Sequence, residues 1–137
     1  MNVFVVQREA KANSKCISVQ ESSNAICINT KPESKTFSFD YVADENTSQE
    51  KMFQVVGVPI THTCLEGYNG TILCYGQTGS GKSHTTFGSS DADNNRGLVP
   101  RVLEYLWNKI SDNVASNASI SYTCSCSFYE IYQEKVY

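Results

Sequence analysis

The 137-residue sequence has no apolar stretch that approaches the length of a membrane span, and the apolar run near its start is too short for a signal peptide. It has no cluster of lysine or arginine, and its net charge of −3 argues against a nucleic-acid-binding surface. Its six cysteines form no C-x-x-C pair, and no histidine stands at zinc-ligand spacing. We therefore expect a cytosolic protein with reduced cysteines and with neither nucleic acid nor membrane as a partner.

Composition and patterning indicate a globular α/β domain, or part of one. The content of 40% hydrophobic and 18% charged residues is ordinary for a folded protein. Strand-like and helix-like segments alternate, which predicts three layers: a central, mostly parallel or mixed sheet flanked by helices. Strands are predicted at residues 3–6, 36–41, 71–75 and 120–128, helices at 47–66 and 98–110, a lobe of hairpins at 9–35 and a linker at 108–117.

The first predicted helix has a start signal, a stop signal and an apolar stripe. Thr47-Ser48-Gln49-Glu50 matches a capping box, and Gly67 ends the pattern. Pro59 should kink the helix. Residues at helical spacing predict its buried face: Met52, Phe53, Val56, Ile60 and Cys64.

The second predicted helix also has one apolar face. Tyr105 and Trp107 on this helix are expected to pack rather than to bind a ligand. The predicted apolar face comprises Val99, Val102, Leu103, Leu106 and Ile110.

The strongest signal is a glycine-rich loop of the pattern G-x-x-x-x-G-K-[ST], at residues 76–83. By composition it should arise by chance at roughly one position in 10⁴–10⁵. The apolar run at residues 71–75 is typical of a strand buried on both faces, and residues 82–87 can open a helix. The candidate binding residues of this glycine-rich loop are Gly76, Gln77, Thr78, Gly79, Ser80, Gly81, Lys82 and Ser83.

These residue types suit a triphosphate. Glycines let successive backbone N–H groups curl around phosphate oxygens, and the start of the following helix adds positive charge there. Lys82 supplies a mobile cation for the β- and γ-phosphates, and the Ser83 hydroxyl can ligate Mg²⁺. A simple Gly/Ser-rich turn would explain neither the Lys-Ser ending nor the strand before the loop. The pattern predicts binding of a nucleoside triphosphate with Mg²⁺.

Read together with its surroundings, the loop resembles that of the kinesin motor domain. The resemblance rests on separate blocks in the same order along the chain, and they cover nearly all of it. The blocks are Phe37-Ser38-Phe39-Asp40, Gly67-Tyr68-Asn69-Gly70-Thr71-Ile72, Tyr75-Gly76-Gln77-Thr78-Gly79-Ser80-Gly81-Lys82-Ser83-His84-Thr85, Arg96-Gly97-Leu98-Val99-Pro100-Arg101 and Ser127-Phe128-Tyr129-Glu130-Ile131-Tyr132.

This resemblance implies an ATPase that moves along microtubules, with ATP and Mg²⁺ as cofactors. It implies a cytoplasmic protein of the cytoskeleton with tubulin as partner, and a dimer for the parent protein. The sequence of residues 39–44 resembles that of a mitotic branch of the family, which would add the spindle as a location.

The resemblance also implies two residues beside the adenine base, and here the sequence departs from the family. The family pattern R-x-R-P corresponds to Val6-Gln7-Arg8-Glu9, so only Arg8 is retained. His84 matches the family position on the other side of the base. An alternative is that His84 is a solvated residue in the first helical turn.

The family's switch motifs, N-x-x-S-S-R-S-H and D-x-x-G, do not occur in this sequence. We therefore expect residues 1–137 to be the N-terminal portion of a motor domain, without the switch regions, the main microtubule-binding elements or the neck. Two functional hypotheses remain: part of a microtubule motor ATPase, or a truncated fragment that binds nucleotide or a partner without hydrolysis. A third is a different P-loop ATPase in which the acidic end of residues 127–130 serves Mg²⁺, which leaves residues 67–71 and 96–101 unexplained.

Overall fold

The computed structural model describes residues 4–6, 16–30, 32–89 and 95–137 of the chain, which divides into two compact units, Met1–Tyr105 and Leu106–Tyr137. The helical segments are α1 (Gln49–Met52), α2 (Val58–Leu65), α3 (Lys82–Thr86) and α4 (Leu98–Ser116), with a π-helical segment (Phe53–Gly57) between α1 and α2. The strands are β1 (Phe4–Val6), β2 (Ile17–Gln20), β3 (Ala25–Ile28), β4 (Lys35–Ser38), β5 (Tyr41–Ala43), β6 (Ile131–Tyr132) and β7 (Lys135–Val136).

The strands in the described residues form three small sheets. β1 pairs in parallel with β5, whereas β2, β3 and β4 form an antiparallel meander. β6 and β7 form a separate hairpin. The first predicted strand and the hairpin lobe are therefore confirmed where they are described.

The predicted strand at residues 36–41 is in fact two strands that belong to different sheets. Asn24, which has a left-handed conformation with φ 47°, bonds the chain where it passes from the first of these strands to the second. Its backbone carbonyl accepts the Phe39 N–H at 2.9 Å, and its side-chain oxygen accepts the Val42 N–H at 3.3 Å. The chain thus leaves the meander after Ser38 and joins β1 from Tyr41, which the uninterrupted alternation of residues could not reveal.

The helix predicted for residues 47–66 is present, but its cap lies one residue later than the capping box indicated. Ser48 is the N-cap, and its hydroxyl oxygen accepts the Lys51 N–H at 3.1 Å. The Thr47 hydroxyl instead donates to the Asp44 carboxylate at 2.7 Å. The preceding turn therefore takes up the Thr47 side chain, and the cap moves to Ser48.

The predicted stripe is confirmed at Met52 and Phe53, which are buried, and at Val56, which packs against them half-buried; beyond these residues the buried face differs from it. In the π-helical segment the Val58 N–H donates to the Phe53 carbonyl, five residues earlier, so each turn holds more residues than an α-helical turn. Pro59 lies in the first turn of α2, where a residue without an N–H is tolerated. Cys64 is exposed rather than buried. The buried residues are Gln49, Met52, Phe53, Gly57 and Thr61.

A small apolar core joins this helical run to its neighbours. Ala43, Met52, Phe53 and Leu98 form one buried cluster. The Tyr105 ring packs edge-on against the Phe53 ring, with centroids 5.8 Å apart and planes at 73°. Each large side chain buried in this way contributes about 1.5–3 kcal/mol.

α4 is longer than predicted, and more of its apolar side chains are exposed than predicted. It continues to Ser116, so the predicted linker at residues 108–117 is wrong; helical hydrogen bonds do not require apolar side chains. Leu98 is buried, whereas Leu103 is 49% and Trp107 53% exposed, which contradicts the expectation that Trp107 packs. Like the other described helices, α4 falls short of the length and apolarity needed to cross a membrane.

The strands predicted at residues 71–75 and 120–128 are not formed. Both segments lie outside any strand, with Leu73 85%, Tyr75 95% and Phe128 87% exposed. A strand is stabilised by hydrogen bonds to its neighbours, and no described residue pairs with these segments. The predicted central sheet is thus not formed by the described residues.

The turn before α1 is organised by the Asp44 carboxylate. It accepts hydrogen bonds from the Thr47 hydroxyl at 2.7 Å and from the backbone N–H and side-chain amide of Asn46, both at 3.0 Å. These donors, the Thr47 hydroxyl foremost, favour the ionised carboxylate and hold the pKa of Asp44 below its ordinary value of 3.8.

We expect the stabilising contribution of Asp44 to depend on pH in one direction. Because the folded-state pKa is lowered, the contribution is complete above the unfolded value near 3.8 and is lost as the pH falls through the lower folded value. A carboxyl ¹³C titration should place the pKa of Asp44 below 3.8, and Thr47→Val should raise it. An Asp44 that titrates at or above its ordinary value would contradict this account.

We also predict that Gly57→Ala destabilises the chain despite the better helix propensity of alanine. A Cβ at this position would lie 2.5 Å from Phe53 Cδ2 and 3.0 Å from Val102 Cγ2, which overpacks the core. Such overpacking costs about 1–3 kcal/mol in the free energy of unfolding. Urea denaturation measures it. The neighbouring exposed substitution Gln54→Ala is the control and should change stability by less than about 0.5 kcal/mol.

Candidate functional site

The glycine-rich loop (Gly76–Ser83) curls tightly before it enters α3. Its three glycines all have positive φ, 152° at Gly76, 81° at Gly79 and 94° at Gly81. The Ser80 N–H donates to the Gln77 carbonyl at 3.1 Å and closes a turn inside the loop. Gly81 is the N-cap of α3 in a left-handed conformation. Residues with a Cβ rarely adopt these angles, so the glycines are what allow this path.

The environments of Gly76 and Gly79 differ. A Cβ on Gly76 would overlap the Ser80 side chain, whereas a Cβ on Gly79 would meet no atom within 4 Å. Gly76 therefore serves a close approach within the loop, and Gly79 leaves open space beside it. Gln77 and Thr78, between them, are exposed.

The Lys82 ammonium group folds back over the loop that precedes it. Lys82 Nζ donates to the Gly76 carbonyl at 2.7 Å and to the Gln77 carbonyl at 2.8 Å. Its third N–H and its full charge can still serve an anion. Ser83, the next residue, is exposed at the start of α3. The ammonium group therefore lies against the first two residues of the loop, whereas the Ser83 hydroxyl is at the start of the helix that follows it.

His84 contacts the first residue of α1. The Gln49 side chain is buried, at 8% exposure, and its Nε2 lies 2.6 Å from the His84 carbonyl oxygen and 2.7 Å from His84 Nδ1. This argues against a His84 side chain that only meets solvent. Arg8, the other residue predicted to flank a base, lies outside the described residues.

Sequence reasoning missed Gln49 as part of this site. It stood inside the predicted capping box, and its partner is 35 residues away. Its one signal in the sequence is an amide side chain in the first turn of an amphipathic helix, which is too common to indicate a contact.

Backbone contacts between residues 87–89 and residues 95–97, here called the α3–α4 bridge, join the end of α3 to the start of α4. Gly88 and Arg96 form an antiparallel bridge, and the Gly97 N–H donates to the Phe87 carbonyl at 2.9 Å. The two glycines approach so closely that a Cβ on either would overlap backbone atoms of the opposite side. The α3–α4 bridge therefore fixes the distance between the end of α3 and the start of α4.

An ion pair ties α4 to α1. The Arg101 guanidinium donates to the Glu50 carboxylate and, through Nε, to the Arg96 carbonyl at 3.0 Å. Arg96 in turn pairs with Glu104 at 3.0 Å. The Arg101 side chain is only 11% exposed, so this pair is shielded from solvent on one side. Glu50 thus holds the Arg101 side chain that bonds the Arg96 carbonyl, a role that the capping-box interpretation did not predict.

Residues 4–137 match the Kinesin motor domain family. The chain is 47% identical over 127 residues to Kinesin-like protein KIF15 of Homo sapiens, which covers 89% of this chain and 9% of that protein. It is 44% identical over 133 residues to Kinesin-like protein KIN-12E of Arabidopsis thaliana, covering 92% and 10%. The chain thus spans about a tenth of the length of these curated relatives.

Among solved structures, the chain is similar to that of a fast kinesin. The TM-score is 0.75 with 30% sequence identity, over 82% of this chain and 33% of that one. The likeness shows that the chain has part of the fold of a kinesin motor, which is a P-loop NTPase fold.

We predict that Gly81→Ala loosens the start of α3. Alanine at φ 94° costs about 1–2 kcal/mol, and the Gly81 carbonyl accepts the Thr85 N–H at 2.9 Å. Hydrogen exchange at the Thr85 amide should therefore accelerate by roughly fivefold to thirtyfold. Ser80→Ala, next to it but at an ordinary φ, should leave this amide unchanged. Equal exchange in both variants would show that the left-handed turn does not restrain α3.

Proposed function

The chain belongs to the kinesin motor-domain family, and from this premise we propose that its glycine-rich loop binds the triphosphate of ATP. The observation that carries the proposal is the curled loop whose three positive-φ glycines end in Lys82 and Ser83. We propose that residues 1–137 form the N-terminal portion of a motor domain. The longer protein would be a microtubule-stimulated ATPase that moves along microtubules. A fragment that never hydrolyses ATP gains no support from the comparisons.

The residues of the loop fit ATP and Mg²⁺ in complementary ways. Backbone N–H groups of the curled loop donate to phosphate oxygens, and the open space beside Gly79 leaves room for them. Lys82 turns its ammonium group from the Gly76 and Gln77 carbonyls towards the β- and γ-phosphates. The exposed Ser83 hydroxyl would take one coordination place on Mg²⁺. When bound, Mg²⁺ neutralises charge that develops on the phosphates.

The base would lie between His84 and Arg8. His84 directly follows the loop and is held by Gln49, which supports a fixed side chain at this position. Val6 and Glu9 replace the arginine and proline that the family has on the Arg8 side. Base recognition would therefore depend more on His84 here than it does where the full pattern is present.

The rest of the motor would complete the fold and the partners. We propose that strands outside this chain pair with residues 71–75 and 120–128, which would complete a three-layer structure around a central mixed sheet. The whole protein would bind tubulin, act as a dimer and reside on the cytoplasmic cytoskeleton, including the spindle. The proposal includes no nucleic-acid or membrane partner, in line with the net charge of −3.

Lys82→Ala tests the nucleotide site. Loss of a charge-assisted hydrogen bond should weaken Mg·ATP binding by about tenfold to a hundredfold, measured by calorimetric titration of the full chain. Lys35→Ala, which removes an exposed lysine of β4, is the control and should bind as the wild type does. Unchanged affinity in Lys82→Ala would reject the assignment of the loop.

A further inference from the structure

Gln49 is a buried polar residue that the proposed phosphate site does not use. Its amide nitrogen contacts both the backbone carbonyl and the imidazole Nδ1 of His84. Burying an amide is unfavourable unless it is hydrogen-bonded, so these contacts are what make its position tenable. They join the start of α1 to the middle of α3.

The two contacts together define the chemistry of the imidazole. The His84 carbonyl oxygen can only accept, so the Gln49 atom 2.6 Å from it must be the amide nitrogen and not the amide oxygen. The second N–H of the same nitrogen then donates to Nδ1 at 2.7 Å, which requires Nδ1 to be unprotonated. In a neutral ring the proton is therefore on Nε2. An imidazolium would instead set two N–H groups against each other.

We propose that Gln49 is a positioning residue that fixes the ring orientation and the Nε2–H tautomer of His84 for recognition of the nucleotide base. This inference rests on the proposed function, in which His84 flanks the base. A ring that is already oriented and neutral loses less side-chain entropy on binding and presents one defined N–H donor. Gln49 thus contributes to selection of the base and leaves the phosphates to the glycine-rich loop.

The alternative role is a strut that only braces α3 against α1. A strut would support the glycine-rich loop as a whole, so its loss would weaken binding of every ligand of the loop. A positioning role affects only ligands that carry a base. ATP and inorganic tripolyphosphate, which share the triphosphate chain, separate the two roles.

The first experiment needs no substitution. In the full chain labelled with ¹⁵N-histidine, long-range ¹H–¹⁵N spectra distinguish protonated from unprotonated ring nitrogens. The chain has two histidines, and His62, with a 64% exposed side chain beside Glu66, is an internal reference. We expect His84 at neutral pH to show an unprotonated Nδ1 and a protonated Nε2. A protonated Nδ1 would overturn the proposal.

The second experiment replaces Gln49 by methionine, which keeps the length of the side chain and removes both donors. Gln49→Met should weaken ATP binding by roughly threefold to tenfold, the worth of one or two hydrogen bonds, and leave tripolyphosphate binding unchanged. The His84 spectrum should change to a mixture of tautomers. The matched control is Gln54→Met, which removes an exposed glutamine bonded to Glu50 in the same helical run and should change neither affinity.

Each remaining outcome is decisive. Unchanged ATP affinity, or an equal loss for ATP and tripolyphosphate, overturns the positioning role while the loop assignment stands. A wild-type chain that binds neither ligand overturns the proposed function and the base-positioning role together. If Gln49→Met fails to fold, the wild-type spectrum of His84 still supports or overturns the inference.

Discussion

The surroundings of the glycine-rich loop depend on one small apolar cluster. Ala43 comes from β5, Met52 and Phe53 from the helical run, and Leu98 from the start of α4. The side chains of the loop itself are half-buried or exposed, so it contributes little burial of its own. Packing therefore acts on the loop indirectly, through the segments that this cluster holds. Polar contacts, such as Arg101 with Glu50, add orientation to a position that burial sets.

The sequence is most informative where the structure is local. The spacing of glycines, lysine and serine in residues 76–83 predicted a curled loop, and its positive φ angles agree, because only residues near in sequence determine the curl. The same holds for Gly67, which ends the first long helix at φ 96°, and for the meander of short strands. In these cases a single residue type or turn decides the conformation.

The features that could not be predicted depend on contacts between distant residues. The π turn places Gly57 and Thr61 at the fully buried positions, while the predicted Val56 packs half-buried against the core and Ile60 is half-buried. Helical periodicity alone does not predict such a turn. The contact of Gln49 with His84 needs two helices in place. The segment 71–75 has the composition of a buried strand, yet composition supplies no neighbouring strand. Propensity indicates what a segment can form, and partners decide what it does form.

The α3–α4 bridge determines how far the length of the chain between these two helices can change. Two backbone hydrogen bonds, from Gly97 to Phe87 and from Ser89 to Asn95, close the ends of the intervening segment. Because the ends are already joined, lengthening the segment adds only a small entropic cost of loop closure, which grows logarithmically with its length. This point of the chain can therefore accept inserted peptides, such as a reporter tag or a docking epitope, while the helices on either side keep their register.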